Sequence, residues 1–211
     1  SAQTPCATGT FSGSGASACS GCAVGYYAPV TGLSACSLAD AGFYIDARGA
    51  SAQTPCPTGK YSGSGASACS DCAVGYYAAT TGLSSCTISD AGFYIDAAGA
   101  TGMTPCAAGF YSGSGATACT PCAAGSSAGT YSGSGASSCV PCELGTYTSE
   151  GGQVSCSFAD PGYYVPTTGA TEPTACPAGS YSGSRAAACD PCAENTYTNH
   201  SGSSACYVCP S

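Results

Sequence analysis

Apolar and polar positions along this chain follow a short cycle that matches neither a helix nor a long strand. Aromatic residues stand two positions after a glycine, as in GYYA at residues 25–28, and glycine-rich polar runs follow, such as SGSG at 12–15. Glycine recurs too often for helices of about ten residues. The aromatic pairs therefore predict very short strands joined by turns at the glycine-rich runs.

The short cycle is nested in a longer one, because residues 1–50 return almost verbatim at 51–100. The frame C-x2-G-x-(Y/F), followed by a second glycine and a closing cysteine, fits the chain twelve times when cysteine losses are allowed. Periods of this kind mark linear arrays. We predict a small disulfide-rich fold, mostly irregular and β. About twelve two-stranded units of 16–17 residues would form an elongated rod with no large hydrophobic core.

The longer period divides the chain into four predicted blocks, the third of which contains an extra unit at 122–141. The last block is partial and ends at the opening cysteine of a further unit. The blocks are 1–55, 56–105, 106–175 and 176–211.

Composition supports an array held by covalent bridges. Leu, Ile, Val and Phe together number 19 of 211 residues, which is too few for an ordinary core. The chain also has 19 Cys, a density typical of scaffolds in which disulfides replace the core. We therefore expect an oxidising compartment, with the protein secreted or at the cell surface. We also expect the aromatic rings to stack between successive bridges as the main apolar spine.

Cysteines are missing in pairs, and this predicts how the others are bridged. Three units lack both of their cysteines: Ala39, Ser89 and Ala159 take the opening positions, and Gln53, Met103 and Pro173 take the closing ones. Such paired losses indicate that each bridge closes within one unit. The predicted bridges are Cys6–Cys19, Cys22–Cys36, Cys56–Cys69, Cys72–Cys86, Cys106–Cys119, Cys122–Cys139, Cys142–Cys156, Cys176–Cys189 and Cys192–Cys206.

Three further positions depart from the repeating frame. Cys209 stands where another unit would open, so we predict that it is bridged outside this stretch, to a following subunit or a longer chain, with a free thiol as the other outcome. The glycine before the aromatic residue is replaced once, by Asn195, and the second glycine is replaced once, by Arg185. Asn tolerates positive φ better than other non-glycine residues, so the first glycine position is predicted to be left-handed.

The repeated C-x2-C pairs, such as Cys69/Cys72, have three interpretations. Paired CxxC motifs can form a zinc site of four thiolates, but the cysteine losses cross CxxC boundaries instead of removing half-sites. A thioredoxin-like dithiol would need a flanking βαβ pattern, which is absent. We favour a joint between consecutive units.

Other candidate chemistry is sparse. The carboxylates of Asp40/Asp46 and Asp90/Asp96 could bind calcium weakly, although two carboxylates fall short of six oxygen ligands, and solvated surface acids are the plainer interpretation. His200 is the single His, which leaves no Ser/His or Cys/His couple. We therefore predict no catalytic residue, no cofactor and no metal site, and hence no enzyme.

Charge and modification motifs bear on partners. The net charge of −8, with 3 basic residues, disfavours nucleic acid and anionic membranes. There is no run of about 20 apolar residues, so no membrane span is predicted in this chain. Asn199-His200-Ser201 matches the N-glycosylation sequon, which makes Asn199 a candidate glycan acceptor. The Ser/Thr-rich turns are candidate O-glycan carriers or plain solvated hydroxyls.

The frame C-x2-G-x-Y…G…C-x2-C resembles the ephrin-receptor-like cysteine-rich repeats of extracellular proteins. It is also similar to the first submodule of tumour necrosis factor receptor repeats, in which such a cysteine pair bridges within one submodule. The resemblance covers essentially the whole chain and implies a disulfide-rich extracellular array. Those receptors interleave crossed disulfides and varied ligand-contacting loops, whereas these units are near-identical and low in charge.

Two functions remain open. The leading hypothesis is an extracellular structural protein whose repeats self-associate into a homopolymer, as a filament, an appendage shaft or a surface coat. The alternative is a stalk or ectodomain fragment of a surface receptor or adhesin that binds a protein or carbohydrate. The irregular region 126–152 is then the candidate binding segment.

Overall fold

The computed structural model describes residues 4–128 and 135–210. These residues contain strands and turns but no helix, and so nothing among them that could cross a membrane as a helix. The prediction of a small disulfide-rich repeat array is confirmed, because the described residues form many two-stranded sheets and nine disulfides.

The strands are two or three residues long, and each odd-numbered strand pairs with the one that follows it. In chain order they are β1 (Thr10–Phe11), β2 (Ser20–Gly21), β3 (Tyr26–Tyr27), β4 (Ser37–Leu38), β5 (Phe43–Tyr44), β6 (Thr54–Pro55), β7 (Lys60–Tyr61), β8 (Ser70–Asp71), β9 (Tyr76–Tyr77), β10 (Thr87–Ile88), β11 (Phe93–Tyr94), β12 (Thr104–Pro105), β13 (Phe110–Tyr111), β14 (Thr120–Pro121), β15 (Ser126–Ala128), β16 (Cys139–Pro141), β17 (Thr146–Tyr147), β18 (Ser157–Phe158), β19 (Tyr163–Tyr164), β20 (Thr174–Ala175), β21 (Ser180–Tyr181), β22 (Asp190–Pro191), β23 (Thr196–Tyr197) and β24 (Tyr207–Val208).

Each pair of strands belongs to one sequence unit, which we call a module. A module runs from its opening position to the residue before the next opening position. Modules 1 to 12 are 6–21, 22–38, 39–55, 56–71, 72–88, 89–105, 106–121, 122–141, 142–158, 159–175, 176–191 and 192–208.

The two inner residues of each CxxC form most or all of a strand. In module 1, Thr10 lies opposite Gly21 and Phe11 lies opposite Ser20 in an antiparallel pair. Ser20 and Gly21 are the residues between Cys19 and Cys22, so the second strand of the module occupies the CxxC. The motif is therefore both the last strand of one module and the joint to the next.

Left-handed backbone recurs at both glycine positions, as the substitution pattern predicts. Asn195, which replaces the first glycine of module 12, has φ of 63°, and Arg185, which replaces the second glycine of module 11, has φ of 61°. Glycine pays no steric penalty for this conformation, whereas other L-residues do. The prediction of a left-handed position is confirmed.

The chain divides into two compact bodies by its internal contacts. The first comprises 1–90, 95–104 and 115–117, and the second comprises 91–94, 105–114 and 118–211. Module 6 and module 7 contribute to both.

Within the first body, backbone hydrogen bonds join each module to the next. The Gly9 N–H donates to the Ala28 carbonyl oxygen at 2.9 Å, and the Gly32 N–H donates to the Cys6 carbonyl oxygen at 2.8 Å. The same two bonds recur, with equivalent residues, at each later junction between modules of this body. We call these bonds the ladder.

The second body repeats the ladder. The Gly145 N–H donates to the Val165 carbonyl oxygen at 3.0 Å, and the Gly169 N–H donates to the Cys142 carbonyl oxygen at 2.8 Å. Because backbone groups make these bonds, they place little demand on side-chain identity. Regular pairing also satisfies backbone groups that would otherwise be buried without partners.

The buried residues are half-cystines and small side chains. Eight opening cysteines are at most 3% exposed, and they are joined by Ala28, Ala78, Ile45, Ile95 and Val165 at one equivalent position of their modules. The aromatic rings of the repeating frame are half-buried instead where they are described, except for Tyr197, which is exposed. The prediction that the rings form the main apolar spine is therefore wrong.

Candidate functional site: the bridged module and its neighbours

The nine disulfides are the chemical centre of each module that has one. The bridged pairs are Cys6–Cys19, Cys22–Cys36, Cys56–Cys69, Cys72–Cys86, Cys106–Cys119, Cys122–Cys139, Cys142–Cys156, Cys176–Cys189 and Cys192–Cys206. These are the same pairs that the sequence predicts. Their Cα atoms lie 5.7–5.9 Å apart, within the ordinary range for a bridge.

The bridges leave no thiolate pair for the alternative chemistries. In every CxxC before the last, each sulfur is bonded to the other cysteine of its own module. Cys69, for example, is bridged to Cys56, and Cys72 is bridged to Cys86. Cys209 carries a free thiol in this chain and is exposed. The described residues contain no group of three or more His, Cys, Asp or Glu that could hold a metal ion.

A module without cysteines is closed by other contacts. In module 3, the Gln53 Nε2 donates to Asp40 Oδ2 at 2.7 Å, and the Asp40 N–H donates to Gln53 Oε1 at 2.8 Å. Gln53 occupies the closing position, so its side chain replaces the missing bridge with two hydrogen bonds. Asp40, one of the carboxylates considered for weak calcium binding, is thereby engaged within the protein.

Module 6, which also lacks both cysteines, contains a buried hydroxyl without a hydrogen-bond partner in the described part of the chain. Ser89, at the opening position, is fully buried, and its Oγ has no hydrogen-bond partner among the described residues. A buried hydroxyl without a partner costs about 1–3 kcal/mol. The equivalent positions in modules 3 and 10 are Ala39 and Ala159, both fully buried.

Replacing Ser89 by Ala is expected to leave the free energy of unfolding unchanged or to raise it by up to about 1 kcal/mol, because the substitution removes an unpaired polar atom. Denaturant unfolding monitored by amide exchange in module 6 measures the change. The matched control is Ser62→Ala, since Ser62 Oγ is buried and donates to the Phe43 carbonyl oxygen at 2.9 Å. That variant is expected to lose about 1 kcal/mol. Equal losses in the two variants would contradict the assignment.

Modules two apart in sequence are in backbone contact at a glycine. A Cβ placed on Gly25 would overlap the Gly65 carbonyl oxygen in the first body, and one placed on Gly162 would overlap the Gly202 carbonyl oxygen in the second. The first glycine of a module therefore lies against the backbone at the second glycine position two modules further on, which in module 11 is occupied by Arg185. The sequence pattern predicts the left-handed conformation but not this contact, which depends on how modules stack.

The other sequence-predicted positions lie apart from one another. Asn199 is exposed in the turn between β23 and β24. His200 is exposed in the same turn, where its Nδ1 lies 3.1 Å from Ser203 Oγ. Neither belongs to a catalytic constellation among the described residues. Part of the irregular region 126–152 (residues 129–134) lies outside the described residues.

The described part of that region and its surroundings expose apolar side chains. Val140, Leu144 and Phe158 are 47–57% exposed. The Arg185 guanidinium lies 5.2 Å from the centre of the Phe158 ring, and its Nη2 lies 3.5 Å from Glu143 Oε2. Both charged partners are largely solvent-exposed, so this ion pair adds little to stability.

The spacing of cysteines, glycines and aromatics in these modules matches a known family. The family model described as "Tyrosine-protein kinase ephrin type A/B receptor-like" matches residues 9–56, 129–176 and 179–211, more than half of the chain. The chain belongs to this family.

The predicted resemblance to ephrin-receptor-like repeats is thus confirmed. No protein in a curated collection matched the chain. Ephrin-receptor-like repeats are non-catalytic modules of receptor-type ectodomains, and with the extensive disulfides they indicate an extracellular or cell-surface location.

Proposed function

We propose that this protein is an extracellular structural protein, in which ephrin-receptor-like modules build a disulfide-bridged rod that serves as a filament subunit, an appendage shaft or a surface coat. The observation that carries the proposal is the ladder. Among the described residues of each body, successive junctions use equivalent backbone donors and acceptors, and the approach of modules two apart requires a glycine. The chain is thus organised around uniform stacking of modules.

The bridges support a load-bearing role. Each closes a loop with a sequence separation of 13–17 residues. Chain-entropy models assign such a loop about 3 kcal/mol of stabilisation. Because the bonds are covalent, tension cannot extend these loops without breaking a bridge or the chain.

The uniformity of the modules supports self-association. Near-identical modules present near-identical surfaces, and a head-to-tail contact between copies that does not close generates a fibre. The exposed Cys209 thiol offers a covalent link between copies. We therefore propose a homopolymer in which Cys209 is bridged to another subunit or to a longer chain.

Electron microscopy of the purified, oxidised chain tests this proposal. Filaments with a regular axial repeat are expected, together with disulfide-linked multimers on non-reducing gels. Cys209→Ser is the matched variant, because it removes the free thiol and none of the nine bridges. It should lose the covalent multimers. Isolated short particles, with only monomer of 20.1 kDa on the gel and one alkylatable thiol, would refute assembly.

A stalk or receptor ectodomain that binds a protein or carbohydrate is the second candidate. The departure of module 8 from the repeat favours it, because a ligand-binding segment is expected where one module differs from the others. Removal of the extra module, 122–141, should abolish binding of the protein or carbohydrate ligand if this candidate is right. If the structural role is right, the same deletion should leave assembly intact.

A further inference from the structure

The turn between β23 and β24 presents a glycosylation sequon to solvent. Asn199, His200 and Ser201 are all exposed. Thr198, the preceding residue, is only 6% exposed, and its Oγ1 accepts a hydrogen bond from the Gly179 N–H at 2.7 Å. The chain thus turns outward directly after Thr198, which leaves the acceptor amide of Asn199 available to a modifying enzyme.

The base of this turn is held by contacts that do not involve the Asn199 side chain. The Gly202 N–H donates to the Cys176 carbonyl oxygen at 2.8 Å, and the bridge Cys192–Cys206 closes the loop. Ser203 Oγ donates to the His200 carbonyl oxygen at 3.1 Å. A bulky group on Asn199 would therefore leave the ladder contacts of this module in place.

An exposed aromatic pair lies on the same module. Tyr197 and Tyr207 face each other across the strand pair, with ring centres 6.4 Å apart and an angle of 53° between the rings. They are 41% and 60% exposed. Tyr197 precedes Asn199 by two residues, so the acceptor amide lies next to this pair along the chain.

We propose that Asn199 carries an N-linked glycan whose first sugars lie over the Tyr197–Tyr207 pair. The apolar C–H face of a sugar fits an aromatic face, and the tyrosine hydroxyls provide polar contacts at the ring edge. The glycan would cover Tyr207, which is the most exposed ring among the described residues. This inference rests on the extracellular location and does not depend on filament assembly.

Peptide mapping of the full chain, secreted from a eukaryotic cell line, tests the site. The peptide that contains Asn199 should lose mass on treatment with a peptide-N-glycosidase, with conversion of Asn199 to Asp. Ser201→Ala should abolish the modification. Ser204→Ala, which alters an exposed serine of the same loop, should retain it. An unmodified Asn199 in the secreted wild-type chain would overturn the proposal.

Nitration with tetranitromethane tests where the glycan lies. Tyr197 and Tyr207 should react several-fold more slowly in the glycosylated chain than in Ser201→Ala. Tyr76, which is 41% exposed in another module, is the internal control and should react equally in both. Equal rates at Tyr197 and Tyr207 in the two proteins would overturn the placement of the glycan over the rings.

Discussion

Gly162→Ala is expected to destabilise the second body by several kcal/mol more than Gly179→Ala. Both glycines are the first glycine of their modules, and their φ angles are 88° and 82°. Either substitution therefore imposes the cost of a left-handed alanine, about 1–2 kcal/mol. At Gly162 the new Cβ would also overlap the Gly202 carbonyl oxygen, whereas at Gly179 nothing lies within 4 Å.

This pair of variants separates the stacking contact from the backbone strain. The two glycines also donate equivalent ladder bonds, to the Ser182 carbonyl oxygen at 2.9 Å and to the Thr198 carbonyl oxygen at 3.1 Å. Denaturant unfolding of each variant, with amide exchange resolved by module, gives the difference in free energy. Equal losses at the two sites would show that the close approach of modules two apart does not occur in solution.

Complete reduction of the bridges is expected to unfold the chain, a larger effect than that of any single substitution. So few large apolar side chains are buried that the remaining burial cannot offset the entropy of the reduced chain. Amide exchange should lose protection throughout the described modules after treatment with a thiol reductant. Persistence of native protection after full reduction would contradict a fold held by disulfides.

Removal of a single bridge measures how much that bridge stabilises its own module. The double variant Cys56→Ser, Cys69→Ser is expected to lose about 3 kcal/mol in module 4. Cys209→Ser is the control and should lose no stability, because that thiol is unbridged within the chain.

Peptide mapping without reduction tests the pairing itself. Recovery of peptides that link Cys69 to Cys72, or cysteines of different modules, would exclude the proposed connectivity.

The sequence predicts the module better than it predicts the contacts between modules. The loss of both cysteines of module 3, where Ala39 and Gln53 stand instead, reveals which positions are bridged in the other modules. A disulfide requires both cysteines, so the two are expected to be lost together. Asn195 reveals a left-handed backbone, because that substitution is tolerated where others are strained. Both inferences depend on local geometry that each module repeats.

The remaining features depend on how modules stack, which no single module encodes. The approach of Gly162 to Gly202 joins residues 40 apart along the chain. The sequence pattern predicts aromatic rings as the main apolar spine, yet the buried side chains are half-cystines and aliphatic residues such as Ala28 and Ile45. The bonds between Asp40 and Gln53 could have been suspected, since a long amide side chain replaces a cysteine there.

The ladder has a consequence for how such a protein changes over generations. Within each body the ladder is made by backbone atoms at equivalent positions of successive modules, so a newly copied module would find equivalent donors and acceptors in its neighbours. The extra module at 122–141 interrupts the 50-residue order, and Cys142 still accepts the ladder bond from Gly169 beyond it. Duplication or loss of coding repeats would thus change the number of modules and leave the ladder bonds of the remaining modules in place.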